Sequence, residues 1–447
     1  MREKTAAPGV PDRSFFETEN IWRILLRIAP PVMLAQLIQA LYNIVDSYFV
    51  GKYSGSGLTA LSVIYPLQLI IIALAVGTGV GVNTQMAKSY ARSQEESANH
   101  TAGTGMILAA ASWAVFAAAA LLIMEPYVRT SATDAQAIEY AVIYGNIVCA
   151  GSLGIFLEST WSKVHQAGGN MFLPMLAQIS GAAVNIILDP ILIFGVGPVP
   201  ALGITGAAVA TVIGQFTAAA IVAPHGFRRP PALRKMGYHV RMIYRLGFPS
   251  IFMQLLFTVY IVALNVILAG FSDAAVTVLG LYYKLQSFFF IPLQGLQTCI
   301  VPLLSYNYAC ESYRRCERIT ADSFGIAAAF MIVGVLCFEL IPRQMIGLFS
   351  SDALVLEIGE HAFHIVGLSF LPAVVSLMMP VFFQAIGAGA PSILLSLTRQ
   401  IFCLIPIFWL LSRIGLDYTW FAFPISEMIT GTLGLWLYFR TVRRWHS

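Results

Sequence analysis

Apolar runs long enough to cross a lipid bilayer recur along the whole of this sequence. A membrane-spanning helix needs about 20 consecutive, mostly apolar residues, and runs of that length alternate with short polar breaks from residue 23 onward. Hydrophobic residues make up 58% of the chain and charged residues only 11%. This pattern excludes a soluble protein and predicts an all-α polytopic membrane protein.

Twelve spans are predicted from these runs and from the residues that break them. An even number places both termini on one side of the membrane. If that side is the cytoplasm, the inner segments hold 20 Lys and Arg residues and the outer segments four, as the positive-inside rule requires. The spans are 23–50, 57–86, 101–124, 135–160, 170–196, 203–224, 241–269, 275–306, 320–342, 354–386, 391–413 and 418–439.

The chain is an internal duplication with a fixed sequence offset of 218. Fourteen of the positions from 27 to 91 are identical to the position at that offset, without a gap. Six spans separate the members of each pair, so the repeat is parallel and predicts two six-helix bundles, a plan in which transporters usually bind substrate between the halves. Aligned pairs include Pro31 with Pro249, Gln36 with Gln254, Tyr42 with Tyr260, Ser54 with Ser272, Tyr65 with Tyr283 and Gln68 with Gln286.

The duplication and the polar breaks predict the domain layout. We expect a cytoplasmic tail over 1–20, a first lobe over 21–222, a basic, proline-rich cytoplasmic connector over 223–240, a second lobe over 241–440, and a short tail over 441–447. The stretch 1–20 lacks the apolar core and cleavage site of a secretory signal. The six cysteines show no CxxC spacing and are interpreted as packing residues, not as a disulfide or metal framework.

Acidic and amide residues in the first half predict a functional site. An ionised side chain in the hydrocarbon costs roughly 3 to 15 kcal/mol, so an intramembrane acid such as Asp46 calls for a function. Asn185 and Asp189 lie four residues apart on one helical face, and Thr211 lies at a similar depth on the next span. The second half lacks this group. In the repeat alignment, Asp46, Asn185 and Asp189 correspond to Leu264, Cys403 and Ile407. A purely structural role in tying helices together is the alternative for Asp46.

Two nearby carboxyl groups in a poorly solvated site cannot both be ionised without a cation. Either the pair binds and releases a proton, or it binds Na⁺ with Asn185 and Thr211 supplying neutral oxygens. The residues leave both options open.

Other polar and adaptable residues predict a substrate cavity and a hinge. Pro31 permits a bend in the first span. Glu427 is either an acid of the cavity or a structural hydrogen-bond acceptor. Lys284 either acts in the cavity, by repelling substrate or by pairing with an acid, or packs inside its bundle. Glu158 and Arg399 are expected to snorkel toward the inner surface, and the glycines of GTGVGV (77–82) are expected to form close helix contacts, not a nucleotide loop. The predicted cavity residues are Met33, Gln36, Gln39, Tyr42, Asn43, Met253, Gln254, Tyr260, Lys284, Phe288 and Glu427.

Four stretches resemble MATE transporters, the multidrug and toxic compound extrusion family. They are APPVMLAQLIQALYNIVDSYFVG (29–51), NIILDPILIFG (185–195), GITGAAVATVIGQ (203–215) and KLQSFFFIPLQGLQ (284–297). The resemblance covers essentially the whole chain and is closest to the bacterial branch with acids in the first half only. The acid that another branch carries in the seventh span is absent from 252–268.

The resemblance implies a secondary active antiporter in the bacterial inner membrane that exports organic, often cationic and lipophilic compounds in exchange for H⁺ or Na⁺. It implies that Asp46, Asn185 and Asp189 form the cation site and that Pro31 lies at a bend that responds to protonation. The resemblance assigns Thr211 to the cation site less firmly, because a second threonine, Thr205, lies nearby.

Two other functions are weighed against export. A flippase for a lipid-linked saccharide would favour basic cavity residues, of which only Lys284 qualifies. An intramembrane aspartyl protease would need motifs that the sequence lacks, so no enzyme is expected. The expected partners are small-molecule drugs or metabolites and membrane lipids, without nucleic acid, cofactor or a second subunit.

Overall fold

The computed structural model describes residues 19–131, 134–349 and 352–446, and every regular element among them is helical. The helices are α1 (Ile21–Tyr53), α2 (Gly55–Ala91), α3 (Glu95–Ser131), α4 (Ala135–Gly151), α5 (Leu153–Ala167), α6 (Phe172–Phe194), α7 (Ile204–Val222), α8 (Leu233–Ala269), α9 (Asp273–Ala309), α10 (Tyr313–Leu340), α11 (Pro342–Gly347), α12 (Ala353–Gly367), α13 (Phe370–Ile386), α14 (Gly389–Leu397), α15 (Ile405–Ser412), α16 (Leu416–Thr419) and α17 (Ala422–His446), with a π-helical segment (Thr398–Leu404) joining α14 to α15.

These helices provide the twelve predicted spans. Ten stretches of the described residues are long and apolar enough to cross a membrane, and α12 with α13, bent by 57°, forms one more. The last helix, α17, has 25 residues and at 1.5 Å per residue is about 37 Å long. The predicted all-α polytopic fold with two six-span halves is confirmed.

The duplication is visible in the ends of the helices. Ser54 caps α2 by accepting from the Gly57 amide, and Ser272, its counterpart in the repeat, caps α9 in the same way. Asp134 and Asp352, which cap α4 and α12, are related by the same offset. The positive-φ residues repeat as well, Gly169 with Gly387 and Ser93 with Glu311.

Asp134 ties the start of α4 to the start of α2. Its carboxylate accepts hydrogen bonds from the Ser56 hydroxyl and the Ala137 amide, both at 2.9 Å. These two donors hold the pKa of Asp134 below its usual value. The cap therefore remains an ionised acceptor at neutral pH.

Residue contacts divide the chain into two compact units. The first unit comprises Pro30–Gln254, and the second comprises Asn20–Ala29 with the residues from Leu255 onward. The division falls inside α1, directly before its two prolines, and inside α8. The lobe limits proposed from the sequence, 21–222 and 241–440, stay predictions, as does the connector over 223–240. The predicted tail over 1–20 lies almost entirely outside the described residues, as does Ser447 of the tail over 441–447.

Each unit has its own buried core. In the first unit, α6 and α7 approach so closely that a Cβ added at Gly181 would lie 2.7 Å from the Gly214 carbonyl oxygen. The second unit is rich in packed aromatic rings, with Phe338 stacked on Phe363 at a centroid distance of 4.7 Å. Four of the six cysteines are buried, as expected for packing residues.

Candidate functional site

The two carboxyl groups predicted to form the site meet inside the first unit. Asp46, near the end of α1, and Asp189, in the last two turns of α6, lie close enough together to interact electrostatically. Asp46 is 7% exposed and Asp189 is fully buried. Two carboxyl groups this close and this buried cannot both be ionised unless a proton or another cation offsets their charge.

Asn185 joins the carboxyl pair to the neighbouring helix. Its Nδ2 donates to Asp189 Oδ1 at 3.3 Å and lies 3.5 Å from Thr211 Oγ1 on α7. Both Asn185 and Thr211 are buried. The close approach of α6 and α7 at their glycines brings these side chains together.

Three oxygens of this group are buried without a hydrogen-bond donor from the amides, hydroxyls or cations of the described residues. They are Asp46 Oδ1, Asn185 Oδ1 and Asp189 Oδ2. Such atoms are costly to leave unpaired. Carboxylate and amide oxygens are hard ligands that suit a proton or an alkali cation, so this set of atoms fits either coupling ion.

Tyr144 and Gln68 also belong to the site, and sequence reasoning missed them. The Tyr144 hydroxyl on α4 lies close to Thr211 and accepts from Gln68 Nε2 at 3.4 Å. Tyr144 is 2% exposed. The repeat offered a signal, because the position aligned with Tyr144 in the second half is Ala362. Tyr144 therefore resembles Asp46 in being a polar residue that is present in only one half of the repeat.

Tyr42 is close enough to both carboxyl groups for electrostatic interaction. It lies one turn before Asp46 on α1 and is half-buried. Its role in the substrate cavity stays a prediction, but its side chain is part of the surroundings of the carboxyl pair.

The remaining predicted cavity residues lie in both units and differ in exposure. Gln39, Asn43, Gln254 and Lys284 are exposed, whereas Met33, Gln36, Met253 and Phe288 are half-buried. Tyr260 and Glu427 are buried. The substrate cavity and the Pro31 hinge stay predictions, and the exposure of Lys284 contradicts the alternative that it packs inside its bundle.

Two expectations about charged residues were wrong. Arg399 and Glu158 do not snorkel to the surface, because each is only 8% exposed. Glu158 accepts from the Ser162 hydroxyl at 2.7 Å. Arg399 pairs with Glu427, so the alternative reading of Glu427, a structural hydrogen-bond acceptor, matches its contacts. An internal partner removes the need for either side chain to reach water.

Comparisons with known proteins agree with the duplicated helical plan. The MatE family model matches residues 31–191 and 249–410. The chain is 23% identical over 429 residues to the multidrug export protein MepA of Staphylococcus saprophyticus, covering 93% of each chain. It is 22% identical over 428 residues to the FAD transporter of Shewanella oneidensis, covering 94% of this chain and 95% of that one.

A solved structure of a MOP superfamily transporter from Pyrococcus furiosus superimposes with a TM-score of 0.90 at 22% identity, covering 99% of this chain and 100% of the other. This likeness establishes the fold. Since the family model matches well over half of the chain, in two segments whose first positions, 31 and 249, are aligned by the internal repeat, this protein belongs to the MatE family and is a membrane transporter, not an enzyme.

Proposed function

We propose that this protein is a secondary active multidrug efflux antiporter, which exports organic, often cationic and lipophilic compounds in exchange for H⁺ or Na⁺. The observation that carries the proposal is the buried polar cluster of Asp46, Asn185, Asp189 and Thr211, in which Asn185 bonds Asp189 and approaches Thr211. The names of its MepA relatives, multidrug export proteins, support the substrate class.

The carboxyl pair supplies the coupling chemistry. With a proton or Na⁺ bound, the pair carries one net negative charge instead of two, and its mutual repulsion is relieved. When the cation leaves, the charges repel and need a different packing or solvent exposure. Asp46 lies on α1, the helix that contains Pro30 and Pro31. A bend at these prolines would let α1 respond to the state of the pair.

Antiport requires that the cation and the substrate favour opposite orientations of the transporter. The cation-loaded pair would stabilise one packing of α1 against α6, and bound substrate would stabilise the other. A ligand shifts such an equilibrium only by its differential affinity for the two states. The proposal also places the protein in the bacterial inner membrane, as a monomer with both termini in the cytoplasm.

Everted membrane vesicles that contain the protein test the coupling. We expect a fluorescent lipophilic cation, ethidium, to accumulate in the lumen when either an acid-inside pH gradient or a Na⁺-rich lumen is imposed, and to leave when that gradient is dissipated. The gradient that works identifies the coupling ion. Accumulation no greater than in vesicles without the protein, under both gradients, would contradict antiport.

Tyr144→Phe should slow efflux moderately. It removes the hydroxyl between Thr211 and Gln68 and leaves the ring in place. A typical intramolecular hydrogen bond contributes about 0.5–1.5 kcal/mol, so we expect the initial efflux rate to fall about 2- to 10-fold. The matched control is Tyr140→Phe on the same helix, whose hydroxyl bonds Gln136 instead. Equal rates for both variants would exclude Tyr144 from the site.

The relative named as an FAD transporter supports a second substrate class, the flavin dinucleotides. The exposed Lys284 on α9 offers a cation for such an anionic substrate. Loading the same vesicle assay with FAD in place of ethidium distinguishes the two classes. Gradient-driven uptake of FAD without uptake of ethidium would favour the second.

A further inference from the structure

The second unit buries an ion pair that the coupling site does not use. Arg399 Nη2 lies 2.6 Å from Glu427 Oε1, and Arg399 Nε lies 2.9 Å and 3.1 Å from the two carboxylate oxygens. The Ser376 hydroxyl also bonds this carboxylate. With Arg399 8% and Glu427 5% exposed, this is a charge pair held away from water.

Four elements hold the pair in place. Arg399 belongs to the π-helical segment, Glu427 to α17 and Ser376 to α13, and Tyr260 on α8 lies close to Arg399. The other titratable groups that face the pair are Tyr282 and Tyr283 on α9. Short π-helical segments occur often at functional sites, and here one carries the arginine.

The duplication relates this pair to the coupling site. Tyr260 is the residue aligned with Tyr42 at the offset of 218, and each tyrosine lies beside the buried acidic side chains of its own unit. In the first unit two carboxyl groups share the site, and no lysine or arginine of the described residues forms an ion pair with either one. In the second unit a single carboxylate is paired with an arginine. The two clusters therefore differ in the number of carboxyl groups and in the presence of a built-in cation.

We propose that Arg399 is a resident counter-cation, which permanently fills in the second unit the role that the exchangeable ion fills beside Asp46 and Asp189. An arginine remains charged at every physiological pH and its fork matches a carboxylate. Glu427 is then neutralised without H⁺ or Na⁺ from solution. The proposal rests on the proposed cation coupling, and it confines that coupling to one carboxyl pair per chain.

Removing the arginine should make the second unit depend on protons. Arg399→Gln leaves Glu427 buried without a counter-charge, which is strongly destabilising unless the carboxylate is protonated. At pH 8 we expect efflux to fall at least about tenfold relative to the parent at the same pH. At pH 6 it should recover at least in part, because a protonated Glu427 needs no cation.

Three further variants separate a charge role from a packing role. Glu427→Gln leaves Arg399 buried without a counter-charge. Efflux by this variant should therefore fall at both pH values, without recovery at pH 6. The double variant Arg399→Gln with Glu427→Gln removes both charges and should stay within about threefold of the parent at either pH. Arg399→Lys keeps the charge without the fork and should lie between the parent and Arg399→Gln at pH 8.

The melting temperature of the purified protein gives a readout that does not depend on transport. Arg399→Gln should melt lower at pH 8 than at pH 6 by a margin that neither the parent nor the double variant shows. If the parent itself exports no ethidium, the proposed function fails while this comparison still decides the role of Arg399. If Arg399→Gln does not accumulate in the membrane, the double variant decides it.

Two results would overturn the proposal. One is parent-like efflux and melting of Arg399→Gln at pH 8. The other is a double variant that is as impaired as Arg399→Gln and equally so at both pH values, because packing and not charge would then explain the loss.

Discussion

Asp189→Asn and Asp46→Asn are each expected to reduce gradient-driven efflux to about 1% of the parent rate. Asparagine has nearly the same shape as aspartate but cannot take up or release the coupling proton, and it brings no charge to a Na⁺ site. Coupling between two ligands typically amounts to about 1–3 kcal/mol, or 5- to 150-fold. Losing the coupling group removes all of it, so we expect the upper end of this range.

The measurement is gradient-driven accumulation of ethidium in everted vesicles, normalised to the amount of protein in the membrane. Asp417→Asn is the matched control, since it makes the same substitution at an exposed carboxylate. A rate for Asp189→Asn within twofold of the parent, under the gradient that drives the parent, would contradict the coupling role of the pair.

Gly81→Leu is expected to prevent most of the protein from reaching its folded state. A Cβ at Gly81 would lie 2.1 Å from the Ile243 carbonyl oxygen and 3.0 Å from the Gly247 amide nitrogen. Both are backbone atoms of α8, which cannot turn aside as a flexible side chain can. Overpacking a tight contact costs about 1–3 kcal/mol or more, and leucine adds three carbons beyond the clash.

We expect folded Gly81→Leu in the membrane to fall to less than about a tenth of the parent amount, as measured by fluorescence-detected size-exclusion chromatography. The milder Gly81→Ala should lower the melting temperature by about 2–12 °C. Gly280→Ala is the control, because no heavy atom lies within 4 Å of a Cβ at that helical position. A Gly81→Ala melting temperature equal to that of Gly280→Ala would show that the helices separate at no cost.

The glycine contacts also confirm a prediction made from the sequence. Gly77 and Gly81 of the GTGVGV stretch approach α8, and a Cβ at Gly79 would lie 2.9 Å from Lys163 Cγ. These glycines permit close helix packing, as expected for small residues in a membrane protein. The stretch is helical throughout.

The candidate site was predicted in part. Asp46, Asn185, Asp189 and Thr211 could be selected from the sequence because polar residues are rare in membrane spans and because these four occur in one half of the repeat only. Their contacts rest on the structure, since Thr211 and Asn185 belong to different helices. Tyr144 was missed because a tyrosine in an apolar span is compatible with packing alone.

The sequence by itself determined the number of spans, the duplication and the identity of the ionisable residues. It could do so because a bilayer requires apolar helices of a fixed length, and an acid is stable within it only where the protein supplies partners or water. Only the tertiary structure decided which charges meet. Arg399 and Glu427 belong to separate spans and form a pair because the π-helical segment and α17 face each other, and the rotation of one helix against another depends on packing that no single stretch of sequence contains.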